Sequence, residues 1–352
     1  MSSVTRSKTP PVQDKVSQYL RAAQKGADWI ESNQSSDGSL GSEPGLGPIY
    51  KTTYALVMTG RLDAAWRLMD HITARYMPEP GVFRAAGESK LDQDGVFYRT
   101  CYILRAALCL GRFDVASPAA LSHLYRYQHR SGGFCGGLRP AARRRINPLD
   151  TCMGGWLCLY TARLDRAIRA GDFLVRLIRN QPRMPERLYF HTDSRTGRCV
   201  TAFDPGTDVC YYSDRKKDKQ WFFVTGAIMG FLADLFRATG NRSYLRTATK
   251  LFAYEKGMHP RSFEWPCKCK VGWGAALLYS VTGDAMHRTM ATKVADVTLL
   301  GPQCRNGGWK TLWFPLSDDG EGFDVSAMEL TAEFTFELCE IAKALSRVAS
   351  RR

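Results

Sequence analysis

No apolar run in this sequence approaches the ~18 residues that a membrane span requires, and the mean hydropathy is −0.29. Among the eleven cysteines there is no Cys-x-x-Cys pair and no metal-finger spacing. An odd, scattered set in a chain this long reads as reduced thiols, not as a disulfide framework. Nucleotide fingerprint, P-loop and nucleophile elbow are all missing, which excludes the commonest cofactor-dependent and acyl-transfer enzymes. Residues 1–14 are polar and lack the apolar core of a secretory signal. The expectation is a cytoplasmic protein without membrane span, metal or cofactor, in which a flexible segment, 1–14, precedes a single domain, 15–352.

What is present is an ordinary globular composition: 352 residues, 44% hydrophobic and 24% charged. The balance is basic, with 49 Lys plus Arg against 34 Asp plus Glu. Its dense clusters, Arg143-Arg144-Arg145 and Lys216-Lys217-Asp218-Lys219, are not interleaved with stacking aromatics. Solvated loop charge accounts for them, and nucleic acid is not expected as a partner.

The chain repeats. Tyr50-Lys51-Thr52 leads through an apolar stretch to Gly60-Arg61-Leu62-Asp63. Tyr98-Arg99-Thr100 leads to Gly111-Arg112-Phe113-Asp114, and Asp150-Thr151-Cys152 leads to Ala162-Arg163-Leu164-Asp165. The turn positions 60, 111 and 162 are 51 residues apart, and Thr239-Gly240 and Thr282-Gly283 close two further apolar segments. A last helix is expected from Asp324 to about Ala349. Each unit reads as a buried helix, a left-handed turn and an amphipathic helix, a hairpin that cannot bury its faces alone. The prediction is an all-α fold, an (α/α)6 toroid of six helical hairpins. Small residues inside the buried helices, Gly226 and Gly274 among them, would let neighbours approach closely. Long connections gather on one rim, the longest being 181–219, a candidate lid.

Three loop segments resemble the α/α-toroid superfamily of terpenoid cyclases and protein prenyltransferase β subunits. They are Gln34-Ser35-Ser36-Asp37-Gly38, Gln128-His129-Arg130-Ser131-Gly132-Gly133-Phe134 and Gln303-Cys304-Arg305-Asn306-Gly307-Gly308-Trp309. The resemblance implies a structural role for this motif, with the Gln and the aromatic tying consecutive hairpins together. The superfamily's catalytic marks are missing. Asp92-Gln93-Asp94-Gly95 lacks the last carboxylate of Asp-x-Asp-Asp, and Asp318-Asp319-Gly320-Glu321-Gly322 is not Asp-Asp-x-x-Asp. The prenyltransferase zinc set is absent, and Cys267/Cys269 and Cys199/Cys210 have no His partner at finger spacing. A related six-hairpin ring serves sugar epimerases, unsaturated-glucuronyl hydrolases and polysaccharide lyases, an analogy of architecture.

In such a ring the N-terminal ends of the buried helices point polar residues into a central mouth. That selects Tyr50, Lys51, Tyr98, Arg99, Asp150, Gln220, Trp221, Lys270, Trp273 and Asp324. A phenol and a cation recur at equivalent places as Tyr50-Lys51 and Tyr98-Arg99; the structural alternative is a cation that caps a helix or pairs with a carboxylate such as Asp63. His191 in the long loop is a candidate acid/base, as are His259 and Glu264 on another rim loop. Trp156, Trp221, Phe222, Trp265, Trp273 and Trp309 suggest an aromatic pocket around a small apolar substrate.

The leading expectation is a cofactor-independent cyclase or isomerase of terpenoid or polyketide metabolism. It would fold a polyene for ring closure, with a Diels–Alder-type reaction among the candidates and Tyr98, Arg99 or Lys51 hydrogen-bonding a carbonyl. Two alternatives stand beside it: a carbohydrate-active (α/α)6 enzyme using His191 or His259 with Asp150, Asp324 or Glu264, and a non-enzymatic isoprenoid- or protein-binding scaffold.

Overall fold

A computed structural model describes residues 12–41, 45–85, 95–137, 143–204, 207–315 and 322–349. Asp92, Asp94, Asp318, Asp319 and Glu321 lie outside these. Among the described residues twelve α-helices alternate between an inner and an outer ring. The inner six are α2 (Thr52–Met58), α4 (Val96–Leu110), α6 (Pro148–Tyr160), α8 (Phe223–Thr239), α10 (Cys269–Thr282) and α12 (Ala327–Ala349). Around them lie α1 (Val12–Ser32), α3 (Leu62–Tyr76), α5 (Pro118–Tyr125), α7 (Leu164–Arg179), α9 (Arg242–Lys256) and α11 (Ala285–Val294). The first turn of α1 thus includes residues 12–14 of the segment expected to be flexible.

Each inner helix packs on the next, and α12 packs on α2, which closes the ring. The sixth hairpin is made from the two ends of the chain, because α12 is covered on its outside by α1. The inner sequences are apolar or small on nearly all sides, as helices buried all round must be. At the tightest crossing a Cβ on Gly226 would lie 2.2 Å from the Lys270 carbonyl carbon, and one on Gly274 would lie 2.4 Å from the Gly226 oxygen.

Short turns join inner to outer helices at one end. Gly60, Gly111, Gly240 and Gly283 there have φ between 70° and 77°, and Ala162 takes the same left-handed conformation at 57°. The long connections lie on the opposite rim, beside the N-termini of the inner helices. They carry three two-stranded antiparallel ribbons: β1 (Arg145–Ile146) with β3 (Thr192–Asp193), β2 (Arg187–Tyr189) with β4 (Tyr212–Asp214), and β5 (Leu312–Pro315) with β6 (Gly322–Val325). Register sets Leu188 opposite Ser213 and Trp313 opposite Asp324.

The Gln motifs perform the structural role expected of them. Gln34 donates to the carbonyls of Gly38 (3.2 Å) and Ala64 (3.0 Å), Gln128 to Gly132 (2.9 Å) and Arg166 (3.0 Å), and Gln303 to Gly307 and Ala22 (both 2.9 Å). Each amide thus pins its own loop and a neighbouring outer helix. Trp309 belongs to the same device: its backbone N–H meets the Thr331 hydroxyl at 2.9 Å and its indole donates to the Leu299 carbonyl at 2.8 Å.

Candidate functional site

The site is built on one face of α12. Glu329, Glu333, Glu337 and Glu340 recur at intervals of four, four and three residues, so they form a stripe down a helix that is otherwise apolar. The stripe faces the axis of the ring. Near the mouth Glu329 accepts from the Tyr50 hydroxyl at 2.9 Å and from Lys51 at 2.8 Å. Lys51 also pairs with Glu333, which pairs in turn with Lys270, and Lys270 reaches Glu337 at 3.2 Å. Tyr98 and Tyr102 from α4 complete this layer: their hydroxyls are 3.4 Å apart, and the Tyr50 ring meets both edge-on.

Electrostatics hold this layer together. Burial works against charge on Lys51 and Lys270, yet the glutamates around them keep both ammoniums well above the ordinary lysine range. Burial also opposes charge on Glu333, but Lys270 and Lys51 outweigh it and hold that carboxyl far below its usual value. Glu337 goes the other way. Burial, reinforced by the Glu333 carboxylate, pushes it up to about 8.

Below this layer the axis is filled. Trp156 from α6 and Trp273 from α10 stack across it with ring centres 4.6 Å apart. The Arg105 guanidinium lies 4.2 Å from the centre of the Tyr54 ring and 5.0 Å from that of Tyr160, and it donates to Glu340 at 2.6 Å. Trp156 and Trp273 therefore form the floor. The rim above is aromatic as well: Trp221 packs on Phe223, whose ring lies 5.8 Å from the Lys270 ammonium, and Trp265 packs on Phe314.

Of the residues selected from sequence, Tyr50, Lys51 and Tyr98 meet at the axis with Lys270, and Arg99 is buried beside them. Others are held elsewhere. Asp150 belongs to the N-terminal cap of α6: its N–H donates to the Asn147 side chain at 2.7 Å, and its carboxyl contacts the Asn147 amide in return. Burial raises that carboxyl to about 7, against the opposing Asn147 bond. Gln220 is fully buried but accepts from the Asp214 N–H at 3.1 Å, bracing β4. Phe222 lies beneath Lys268, which is itself wholly buried and bonded to Glu255 at 2.6 Å. His191 packs on Tyr211 in the long loop and donates through Nε2 to the Cys210 carbonyl at 3.1 Å; burial lowers its pKa to about 4. Asp324 is exposed on β6. His259 caps the turn that begins at Pro260, and Glu264 is exposed beside Arg261.

The glutamate stripe is what sequence reasoning missed. Its signal was available, since four carboxylates at helical spacing on an apolar helix must either face solvent or meet partners inside. Lys51 pairs with these glutamates, not with the Asp63-type carboxylates considered beforehand.

This ring of alternating inner and outer helices is shared with known structures. No protein-family model matches the sequence, and no curated protein matches it. By structure it is similar to a D-mannose isomerase, with TM-score 0.69 and 13% identity over 95% of this chain and 100% of that one. A similar match is an unsaturated glucuronyl hydrolase specific for heparin, with TM-score 0.62 and 12% identity over 96% and 98%. A third is the GH76A α-1,6-mannanase of Salegentibacter sp. HEL1_6, with TM-score 0.62 and 11% identity over 93% and 99%. The fold is an (α/α)6 toroid. At such identities the comparison establishes the fold. No helix among the described residues is long and apolar enough to cross a membrane.

These findings overturn the expected terpenoid or polyketide cyclase. The neighbours reported above are described as sugar enzymes. The axis tells the same way: a polyene needs walls of carbon, and this axis presents carboxylates, ammoniums and phenols, with its large aromatics spent on the floor and rim.

Proposed function

We propose that the protein is a carbohydrate-active (α/α)6 enzyme that moves a proton between adjacent carbons of a sugar, as an aldose–ketose isomerase or epimerase does. The observation that carries this reading is the polar axis: three carboxyl groups on one wall, with two ammoniums and three phenols facing them. Such a surface matches the hydroxyl pattern of a polyol. Structural similarity to D-mannose isomerase supports the same class of substrate.

The one-sided arrangement favours proton transfer over hydrolysis. A glycosidase needs two carboxyl groups flanking a glycosidic bond from opposite faces. Among the described residues the carboxyl groups at the axis stand on a single helix. Glu329, the member nearest the mouth, is the general base that takes the proton from the carbon next to the sugar carbonyl. Lys51 and Tyr98 hydrogen-bond the carbonyl oxygen and stabilise the enediolate as charge develops there. Trp221 and Trp265 on the rim offer ring faces to the sugar.

Incubation with a panel of aldoses and ketoses in D2O, followed by proton NMR, tests this directly. Deuterium should enter at C2 with the wild type, and Glu329→Gln should slow exchange by about 10²- to 10⁴-fold. Hydrolysis of an oligosaccharide without exchange at C2 would replace the isomerase reading with a glycosidase.

A further inference from the structure

Glu337 has no part in substrate contact as described above, yet its surroundings are unusual. It is fully buried. One of its oxygens, Oε1, accepts from Lys270 at 3.2 Å. The other, Oε2, is buried and has no N–H or O–H donor among the described residues. A carboxylate oxygen sealed from water without a donor is costly. The cost disappears if that oxygen carries a proton and donates it to a neighbouring acceptor. The Glu333 carboxylate, which is hydrogen-bonded to the Glu337 carboxyl, offers that acceptor; the two, with the Cys269 sulfur, lie within 4.8 Å of one another.

The same three groups could hold a metal ion, so the cluster allows two occupants. Lys270 decides between them. Its ammonium bonds both carboxylates and already occupies the cation's place, and a second positive ion would have to stand against it. The charged and titratable groups around Glu337 include Lys270 and Cys269 from α10, Glu333 from its own helix, and beyond these Cys267 just before α10, Lys51 from α2 and Tyr98 and Tyr102 from α4.

We propose that Glu337 is a protonated carboxylic acid in the resting protein, that it shares its proton with the Glu333 carboxylate, and that this pair is the proton store of the site. The Glu337–Glu333–Lys51 series leads from the buried end to the mouth. When Lys51 gives a proton to a sugar carbonyl oxygen, Glu333 passes one to the Lys51 amine and takes one from Glu337. One proton moves to the substrate, Glu337 is left as a carboxylate beside Lys270, and no electrons change hands. Glu337 is thus a positioning residue that keeps Lys51 charged. This second step rests on the isomerase reading; the proton on Glu337 does not.

Infrared difference spectroscopy of the purified, full-length protein separates the two. At neutral pH the wild type should show protonated-carboxyl C=O stretches from Glu337 and from the buried Asp150; the Glu337 band is the one that Glu337→Gln abolishes and that Asp150→Asn and Glu329→Gln leave in place. The band should titrate away as the pH rises through about 8. That titration uses only the wild type, so it stands even where a variant folds poorly. Absence of the band, or its survival in Glu337→Gln, overturns the proposal. So does a stoichiometric metal found by elemental analysis and lost in Cys269→Ser, which would put a cation where the proton is assigned. A protein that shows the band but exchanges no sugar proton would retain the protonated Glu337 and lose the isomerase reading.

Discussion

At the scale of single residues the site is a sequence of opposite charges held away from water. Such a layer is sensitive to the loss of one member, because each partner left behind is a buried, uncompensated charge. Glu333 touches two lysines at once. Glu333→Ala should cost about 3–5 kcal/mol in chemical denaturation, well beyond an exposed charge such as Glu264→Ala, which should change stability by less than about 1 kcal/mol. Equal costs for the two would mean that the network is not closed. Parts of this layer were legible in the sequence. The repeat of Tyr50-Lys51 as Tyr98-Arg99 pointed to equivalent places at the mouth, and Tyr50, Lys51 and Tyr98 do meet there. Asp150 and Gln220 occupy equivalent sequence positions but turn to local partners, Asn147 and Asp214. Nothing in spacing alone separates a carboxyl that caps its own helix from one that faces the axis.

At the scale of elements, the glycines and the Gln staples account for how the hairpins are spaced. Gly132 has φ 99°, and a Cβ there would come within 2.1 Å of the Arg169 carbonyl oxygen. Gly111 has φ 74° and open space around it. Gly132→Ala should therefore destabilise by about 2 kcal/mol or more and Gly111→Ala by about 1 kcal/mol, read as the difference in denaturant midpoint. Ala162 fills the turn position that glycine holds in four other hairpins. Ala162→Gly should relieve that strain and stabilise by about 1 kcal/mol, partly offset by the entropy of the freed chain; a loss of stability would contradict the repeat-based reading of this turn. The glycine turns were plain in the sequence because they follow a local rule, glycine where φ is positive, whereas the role of the glutamines was implied by the resemblance of their loops to the α/α-toroid superfamily. The stripe on α12 has a local signal too, but carboxylates at helical spacing fit a solvent-facing side equally well, and only the closed ring turns them inward.

At the scale of the whole molecule the first and last described helices meet, with α1 covering α12 and α12 closing the ring against α2. The helix that closes the ring also carries the glutamates, so folding and site assembly are one event. Their titration should be visible in global stability. Glu337 has a folded pKa of about 8 against 4.5 for an ordinary glutamate, so the folded state binds the extra proton between these values. Stability should accordingly fall as pH rises from about 4.5 to about 8. Asp150, at about 7, adds in the same direction over the lower part of that window, while His191, lowered to about 4 from 6.5, opposes both below 6.5, so the decline is carried by the range from about 6.5 to about 8. Tm measured across this range should decline in the wild type and decline less in Glu337→Gln; parallel curves would show that Glu337 is not the group responsible. The toroid itself was legible at this scale from the 51-residue period. The function was not, because the large aromatic residues of the inner helices form floor and rim, and the polar groups that meet at the axis come from helices far apart in the chain.

The central claim is that this polar axis receives a sugar. Saturation-transfer NMR with neutral hexoses tests it most directly: saturation should pass from the protein to the sugar ring protons, and it should weaken when Glu329→Gln and Trp221→Ala are combined. Failure of any hexose to receive saturation, together with tight binding of an apolar polyene at the same residues, would contradict the account.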